Sequence, residues 1–185
     1  WRDWSSDVCS SDLRGAEVTF VCGPVSESIP AAVKVTKVKT AAEMYDACVA
    51  AFKNADAAIM AAAVSDFTVS KPASQKIKKS DQGLVLSLNK SKDILQALGT
   101  MKKKKQILVG FALETENEKR NALAKLKKKN ADFIVLNSMN DKGAGFGSDT
   151  NKISIFDKNG KESAFGLKTK SEVAKDIIDT LFPKL

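Results

Sequence analysis

The chain has 185 residues, 43% of them hydrophobic, with 30 basic against 22 acidic side chains for a formal net charge of +8. That is enough for one α/β domain with its own core, and no apolar stretch approaches the length of a membrane span, so a membrane is not an expected partner. Histidine is absent altogether, which excludes histidine triads, imidazole acid/base catalysis and histidine metal centres and leaves lysine, carboxylate, amide and backbone groups to do any chemistry.

The first thirteen residues, WRDWSSDVCSSDL, hold both tryptophans and follow neither helical nor strand periodicity. They read as foreign to the domain, which is expected to run from residue 14 to 185. A strand over Val18 to Val21 leads into a Gly23-Pro24 turn, and Val33 to Val38 alternates valine and lysine as a second strand. Thr40 and Glu43 have the spacing of a capping box, and Met44, Ala47, Cys48, Ala51 and Phe52 recur at helical intervals until Asn54. A buried strand is expected over Ala57 to Val64, completing a βαβ unit. Cys9, Cys22 and Cys48 are odd in number and lack CxxC spacing, which suits a reducing, cytoplasmic setting better than a disulfide framework or a zinc knuckle.

The stretch AAIMAAAV ends on Ser65 and Asp66 and runs on to the basic loop Gln75 to Lys79. Small residues at a strand end let a ligand approach the backbone, and an acid with a lysine loop supplies the charges that a phosphorylated substrate and its cation require. Leu84 to Leu88 alternates as a strand, Lys92 to Leu98 makes a short helix ended by Gly99, and Ile107 to Ala112 is a further apolar strand. Lys102 to Lys105 lie between the last two and read as solvated.

Asn117 to Asn130 is a helix with Ala122, Leu123 and Leu126 as its buried stripe. At about 100° per residue, Lys129 lies only about 20° from Ala122 and Lys125 about 40° further round, so both border the core face, while Lys128 points to water. Spacing alone leaves open whether this pair reaches an anion or only snorkels. Phe133 to Leu136 is a strand, Asn137 to Thr150 a glycine-rich loop, and Lys152 to Phe156 with Ser163 to Phe165 a hairpin turned by Asn159-Gly160. Thr169 and Glu172 cap a last helix that buries Val173, Ala174, Ile177, Ile178 and Leu181 before Pro183.

This order predicts a three-layer, Rossmann-like α/β domain with a mostly parallel sheet and an antiparallel hairpin near its C-terminal end. Ligands in such sheets bind beyond the carboxyl ends of the strands, which puts Asp66, Phe111 with Ala112, and Asn137 on one rim. Aromatic residues are 6% of the chain and none is interleaved with the lysines of Met101 to Lys105 or Lys125 to Lys129. The stacking platforms of a nucleic-acid binder are thus missing, and nucleic acid is not an expected partner.

GPVS at Gly23 to Ser26, AAAVSDF at Ala61 to Phe67, KIKK at Lys76 to Lys79, KDIL at Lys92 to Leu95, VGFALET at Val109 to Thr115 and GFGSDTN before Lys152 resemble, in order and spacing, the phosphopantothenoylcysteine synthetase domain. In that family the domain follows a flavin-dependent decarboxylase, the part that uses FMN, within a bifunctional coenzyme A biosynthesis protein. The resemblance implies a ligase that activates 4'-phosphopantothenate with CTP and Mg2+ as an acyl-cytidylate, from which cysteine displaces CMP. It implies a nucleotide site made of Met60, Ala61, Ala62, Asp66, Lys92, Asp93, Ile94, Leu95, Phe111, Lys125 and Lys129. The resemblance further implies that Lys76 is the catalytic lysine of a closing flap and makes Asp66 the best candidate for the metal. It also implies a homodimer built partly from the loop after Asn137 and the hairpin.

Family members begin with a strand, a GGT-type turn and an SNRSSGKMG-like segment, none of which is found here. Their absence sets the expectation that this polypeptide is inactive or nearly so and exposes strand edges in mid-sheet. Each residue also has a plainer use: Asp66 as a turn cap, Phe111 as core, Asn137 as a partner for loop backbone. A dinucleotide-binding oxidoreductase and a basic nucleic-acid module are the alternative functions, the first disfavoured by the missing G-x-G-x-x-G.

Overall fold

A computed structural model describes residues 15–24, 29, 33–78, 83–138, 149–181 and 183. The expectations that fall on residues 1–14, on Val25 and Ser26, on Lys79 and on Met139 to Ser148 lie outside those residues.

Two short parallel strands open the fold, β1 (Thr19–Cys22) and β2 (Lys34–Lys37), which pair only with each other among the described residues. The helix α1 (Ala41–Phe52) starts where the sequence says it should. The Thr40 side chain accepts the Glu43 N–H at 3.1 Å while the Glu43 carboxylate accepts the Thr40 N–H at 3.3 Å, satisfying two otherwise orphaned donors.

The main sheet has five strands in the order β10-β9-β7-β6-β3. β3 (Ala57–Met60), β6 (Ile107–Glu114) and β7 (Phe133–Ser138) are parallel, whereas β9 (Ile153–Asp157) and β10 (Glu162–Ala164) form the expected antiparallel hairpin at one edge. Its connection is Lys158 to Lys161, with Gly160 alone there at positive φ (+80°) and the Asp157 carboxylate accepting the N–H groups of Asn159 and Lys161, each at 2.9 Å. The alternation of side chains sorts the core into two layers. Even-numbered Leu108, Ala112, Ile134 and Leu136 pack under α1, α2 (Ile94–Met101) and α3 (Glu118–Lys128). Odd-numbered Ile107, Val109, Phe133 and Val135 pack against Val173, Ile177 and Leu181 of α4 (Lys170–Leu181). Helices on both faces of a mostly parallel sheet make the three layers that the sequence predicts.

Four expectations are corrected. The strand expected over Ala57 to Val64 leaves the sheet after Met60, and Ala62 and Ala63 are exposed, because the neighbouring β6 register ends at Gly110 for this pair. Of Leu84 to Leu88 only the last residue enters a strand: β5 (Leu88–Lys90) pairs with β4 (Phe67–Val69), and Leu84, Val85 and Leu86 are exposed with no sheet to bury them. Gly99 does not end α2 but lies buried inside it. A Cβ there would sit 1.8 Å from the Lys129 carbonyl oxygen, so the glycine is what lets α2 and α3 cross in contact. Lys102 is not solvated: its side chain is 12% exposed, and its ammonium lies 2.8 Å from Asp132 and 2.9 Å from the Asn130 carbonyl. The last two strands, β8 (Thr150–Asn151) and β11 (Lys168–Thr169), pair antiparallel and set the start of α4 beside the carboxyl edge of the sheet.

Candidate functional site

Where β3, β6 and β7 end, the chain leaves a cleft of about 420 Å³. Each wall follows from local structure. Past Met60 the backbone of Ala61 to Ser65 runs free of the sheet, and its small side chains leave the peptide groups approachable. Asp66 ends that run. Its carbonyl accepts the Ser91 N–H at 2.8 Å, tying it to the segment before α2, while its carboxylate has no hydrogen bond or ion pair among the described residues.

The N-terminus of α2 forms the second wall, with Lys92, Asp93, Ile94 and Leu95 all on the cleft. Asp93 is the N-cap, accepting the Gln96 N–H at 2.9 Å, and its other carboxylate oxygen accepts from the Lys129 ammonium. Partial burial pushes the Asp93 carboxyl up, but the Lys129 hydrogen bond, the Gln96 N–H and the charges of Lys129 and Lys125 outweigh it and leave the pKa below the ordinary value. Lys92 sits with its ammonium 4.7 Å from the centre of the Tyr45 ring.

The third wall is β6 with α3. Gly110 leaves room there for the Leu95 and Ile134 side chains, whose ends would lie 2.6 and 2.9 Å from a Cβ at that position. Phe111 lines the cleft, and the Lys125 ammonium donates to its carbonyl at 2.7 Å. Lys125 is half-buried, and desolvation holds its pKa below the usual lysine value, the like charge of Lys129 adding to this and Glu114, Asp93 and Asp66 opposing it. A desolvated ammonium whose neighbours are a carbonyl and incompletely compensating carboxylates is suited to receive an anion.

The structure therefore brings together Met60, Ala61, Ala62, Asp66, Lys92, Asp93, Ile94, Leu95, Phe111, Lys125 and Lys129 on one cleft. It does not bring Lys76 there: that residue is exposed on the segment between β4 and β5 and is not part of the cleft wall. Residues without a sequence-derived role also line it, among them Lys90, Ser91, Leu113, Asn151 and Lys170. Asn151 carries a visible signal, a polar residue in a segment of strand-forming Thr150, Ile153 and Ile155. Ser91 and Lys170 become cleft residues only through folding. Among the described residues no group of three or more histidine, cysteine or carboxylate side chains could hold a metal by itself, and no helix is long and apolar enough to cross a membrane.

Residues 9–184 match the family described as the DNA/pantothenate metabolism flavoprotein C-terminal domain. The chain belongs to this family. It is 53% identical over 165 residues to a cysteine/cysteine sulfinic acid decarboxylase from an unknown prokaryotic organism, an alignment covering 89% of this chain and 46% of that protein. It is 41% identical over 168 residues to the coenzyme A biosynthesis bifunctional protein CoaBC of Bacillus subtilis (strain 168), covering 90% of this chain and 41% of that protein. The chain thus spans less than half the length of these relatives. The crystal structure of the C-terminal domain of CoaBC matches it with a TM-score of 0.77 at 32% identity, over 96% of this chain and 79% of that one. A variant of Cab2 in complex with phosphopantothenate-cysteine shares the fold, with a TM-score of 0.72 at 15% identity over 97% and 77% of the two chains. The motifs from Gly23 to Lys152 accordingly mark a CoaBC synthetase-domain relative, and the three-layer fold expected from the order of strands and helices is the one observed.

Proposed function

We propose that this domain joins 4'-phosphopantothenate to cysteine, using CTP to activate the acid. The observation that carries the reading is the convergence of Asp66, the N-terminus of α2, Lys125 and Lys129 on one cleft at the carboxyl edge of the sheet. The family resemblance supplies the substrates.

In the first step the pantothenate carboxylate attacks the α-phosphorus of CTP, forming an acyl-cytidylate and breaking the bond to pyrophosphate. In the second, the cysteine amino group attacks the acyl carbon, the amide forms, CMP departs with the bonding pair, and the amine proton is released. Neither step requires an imidazole. Both crowd negative charge, which Lys125 and Lys129 offset from α3 while the free N–H groups at the start of α2 face the phosphates. Desolvation strengthens the Lys125 contribution, because its charge is poorly screened. Phe111 offers an apolar face beside them, and the open backbone of Met60 to Ala62 allows close approach of the nucleotide.

Mg2+ fits the donor set as a phosphate-borne ion: one cleft carboxylate, Asp66, has no hydrogen bond or ion pair among the described residues, and that ion usually takes one or two carboxylates with phosphate oxygens and water. When bound it would neutralise the triphosphate. Lys76 has the role of a mobile closing group, consistent with its exposed position on the β4–β5 segment outside the cleft wall. A homodimer using the β9–β10 hairpin, whose outer strand ends the sheet, belongs to the same reading.

Thermal melting of the chain with nucleotides tests it. CTP with Mg2+ should raise the melting temperature more than ATP, UTP or NAD at equal concentration, and 4'-phosphopantothenate should add to the shift. A shift with NAD and none with CTP would replace the ligase by the oxidoreductase alternative.

A further inference from the structure

Three buried side-chain polar atoms have no hydrogen-bond partner among the described residues: Ser91 Oγ, Asn137 Oδ1 and Asn151 Nδ2. All three residues line the same cleft. Folded proteins satisfy nearly all buried polar atoms, so orphans gathered on one cleft, and found nowhere else among the described residues, mark groups held for something that arrives.

Ser91 belongs with the charged wall, next to Lys92 and bonded through its N–H to Asp66. The two asparagines belong to another neighbourhood. Asn137 continues the odd-numbered face of β7, after Phe133 and Val135, and that face packs toward α4 rather than toward α3 and its lysines. It stands opposite Ile153 in the β7–β9 register, two residues along from Asn151. Asn151 is 1% exposed. The cleft therefore straddles the end of the sheet. Its acids, Asp66 and Asp93, come from the segments at β3 and α2, and Lys125 and Lys129 from α3, while the α4 side brings two neutral amides and Lys170.

The orientation of the Asn151 amide is fixed by its surroundings. The Lys152 backbone N–H donates to Asn151 Oδ1 at 2.9 Å, and since an N–H can only donate, the unpaired group on Asn151 is a donor. The unpaired Asn137 oxygen is an acceptor. Together they present one donor and one acceptor on the same neutral wall.

We propose that Asn137 and Asn151 form a subsite for the uncharged, amide-bearing chain of the acid substrate, a secondary amide donating its N–H to Asn137 Oδ1 and accepting from Asn151 Nδ2. This rests on the ligase reading. Phosphopantothenate is charged at both ends, where it carries phosphate and carboxylate, and neutral between them, where its hydrogen-bonding groups include a secondary amide. The ends suit lysines and a helix N-terminus. The middle has one N–H and one C=O pointing in opposite directions, which a single hydroxyl or a second lysine cannot satisfy together. The subsite thus selects for the linker of the substrate, a specificity that cationic groups alone do not provide.

Titration calorimetry with phosphopantothenate and its ester analogue, in which oxygen replaces the amide N–H, tests the assignment. The unaltered chain should bind the amide about ten-fold or more tightly, since the ester leaves Asn137 Oδ1 unpaired. In Asn137→Leu that preference should fall below about two-fold. Asn151→Asp keeps the acceptor for the Lys152 N–H but removes the donor, and should weaken both ligands by about ten-fold while CTP binding is unchanged. The amide-to-ester ratio is internal to each protein, so a loss of stability does not imitate the result. Equal binding of amide and ester by the unaltered chain, or a preference that survives in Asn137→Leu, overturns the subsite and leaves the ligase standing. No binding of phosphopantothenate or CTP would remove both.

Discussion

At the amino edge of the sheet Lys102 is held 2.8 Å from Asp132, which also accepts the Leu108 N–H at 2.8 Å, and Lys103 donates to the Lys53 carbonyl at 2.9 Å. At the carboxyl edge Lys125 has the Phe111 carbonyl and Lys129 shares Asp93 with a helix cap. The first group closes the ends of α1, α2, β6 and α3 against one another, with its charge matched inside the protein. The second keeps a half-buried ammonium over open space. A net charge of +8 says nothing about which lysines are which; their partners and the direction of the strands do.

The sharpest way to break the contrast is Gly99→Ala, which touches both edges at once. Its Cβ would meet the Lys129 carbonyl at 1.8 Å, so α2 and α3 have to part. Overpacking of this kind costs about 1–3 kcal/mol or more, and in a domain of this size each kcal/mol lowers the melting temperature by about 2–4 °C. A fall of roughly 5–10 °C by circular dichroism is expected, with CTP binding impaired as Lys129 moves away from the cleft. An unchanged melt would show that the helices do not cross in contact.

Lys102→Met and Lys125→Met separate the edges. Removing Lys102 strands a carboxylate whose side chain is only 16% exposed, so stability should fall by about 1–3 kcal/mol with CTP affinity unchanged. Removing Lys125 should weaken CTP by about 10- to 100-fold, the loss of a charge-assisted hydrogen bond, and leave the melt unchanged or raised because a desolvated charge has gone. If both variants lost affinity and neither lost stability, the distinction between structural and functional lysines would be wrong.

The smallest effect is one of pH. Lys125 has its pKa lowered in the free protein, chiefly by desolvation, and a bound phosphate would raise it by favouring the charged form. Affinity for CTP should therefore be greatest below the free-state pKa and decline as pH rises through it, with net proton uptake on binding in that range. Calorimetry in buffers of different ionisation enthalpy reads this uptake, and Lys125→Met should abolish it.

Much of the fold could be read from residue spacing. The capping box at Thr40 and Glu43, the buried stripe of Ala122 and Leu126, and the inward set Val173, Ala174, Ile177, Ile178 and Leu181 all stand where periodicity puts them, because each follows from a repeat within one element. The candidate site was legible to the extent that it follows from strand ends and from the family motifs. Ser91 and Lys170 were not, since nothing local brings the segment before α2 and the start of α4 to the ends of β3 and β6. Gly99 and Leu84 to Leu86 misled for a related reason. A glycine inside a helix is justified by another helix pressed against it, and an alternating apolar run is a strand only when a neighbour offers backbone to pair with.

By itself the sequence determined most of the elements, the two-faced sheet and the family, because hydrophobic period, caps and motifs are encoded within a few residues of one another. Tertiary structure decided which lysines are neutralised and which face the cleft, why Gly99 is glycine, and that Asn137 and Asn151 line one cleft with an acceptor and a donor unpaired among the described residues. Those facts depend on distances between segments far apart in the chain, and only packing sets such distances.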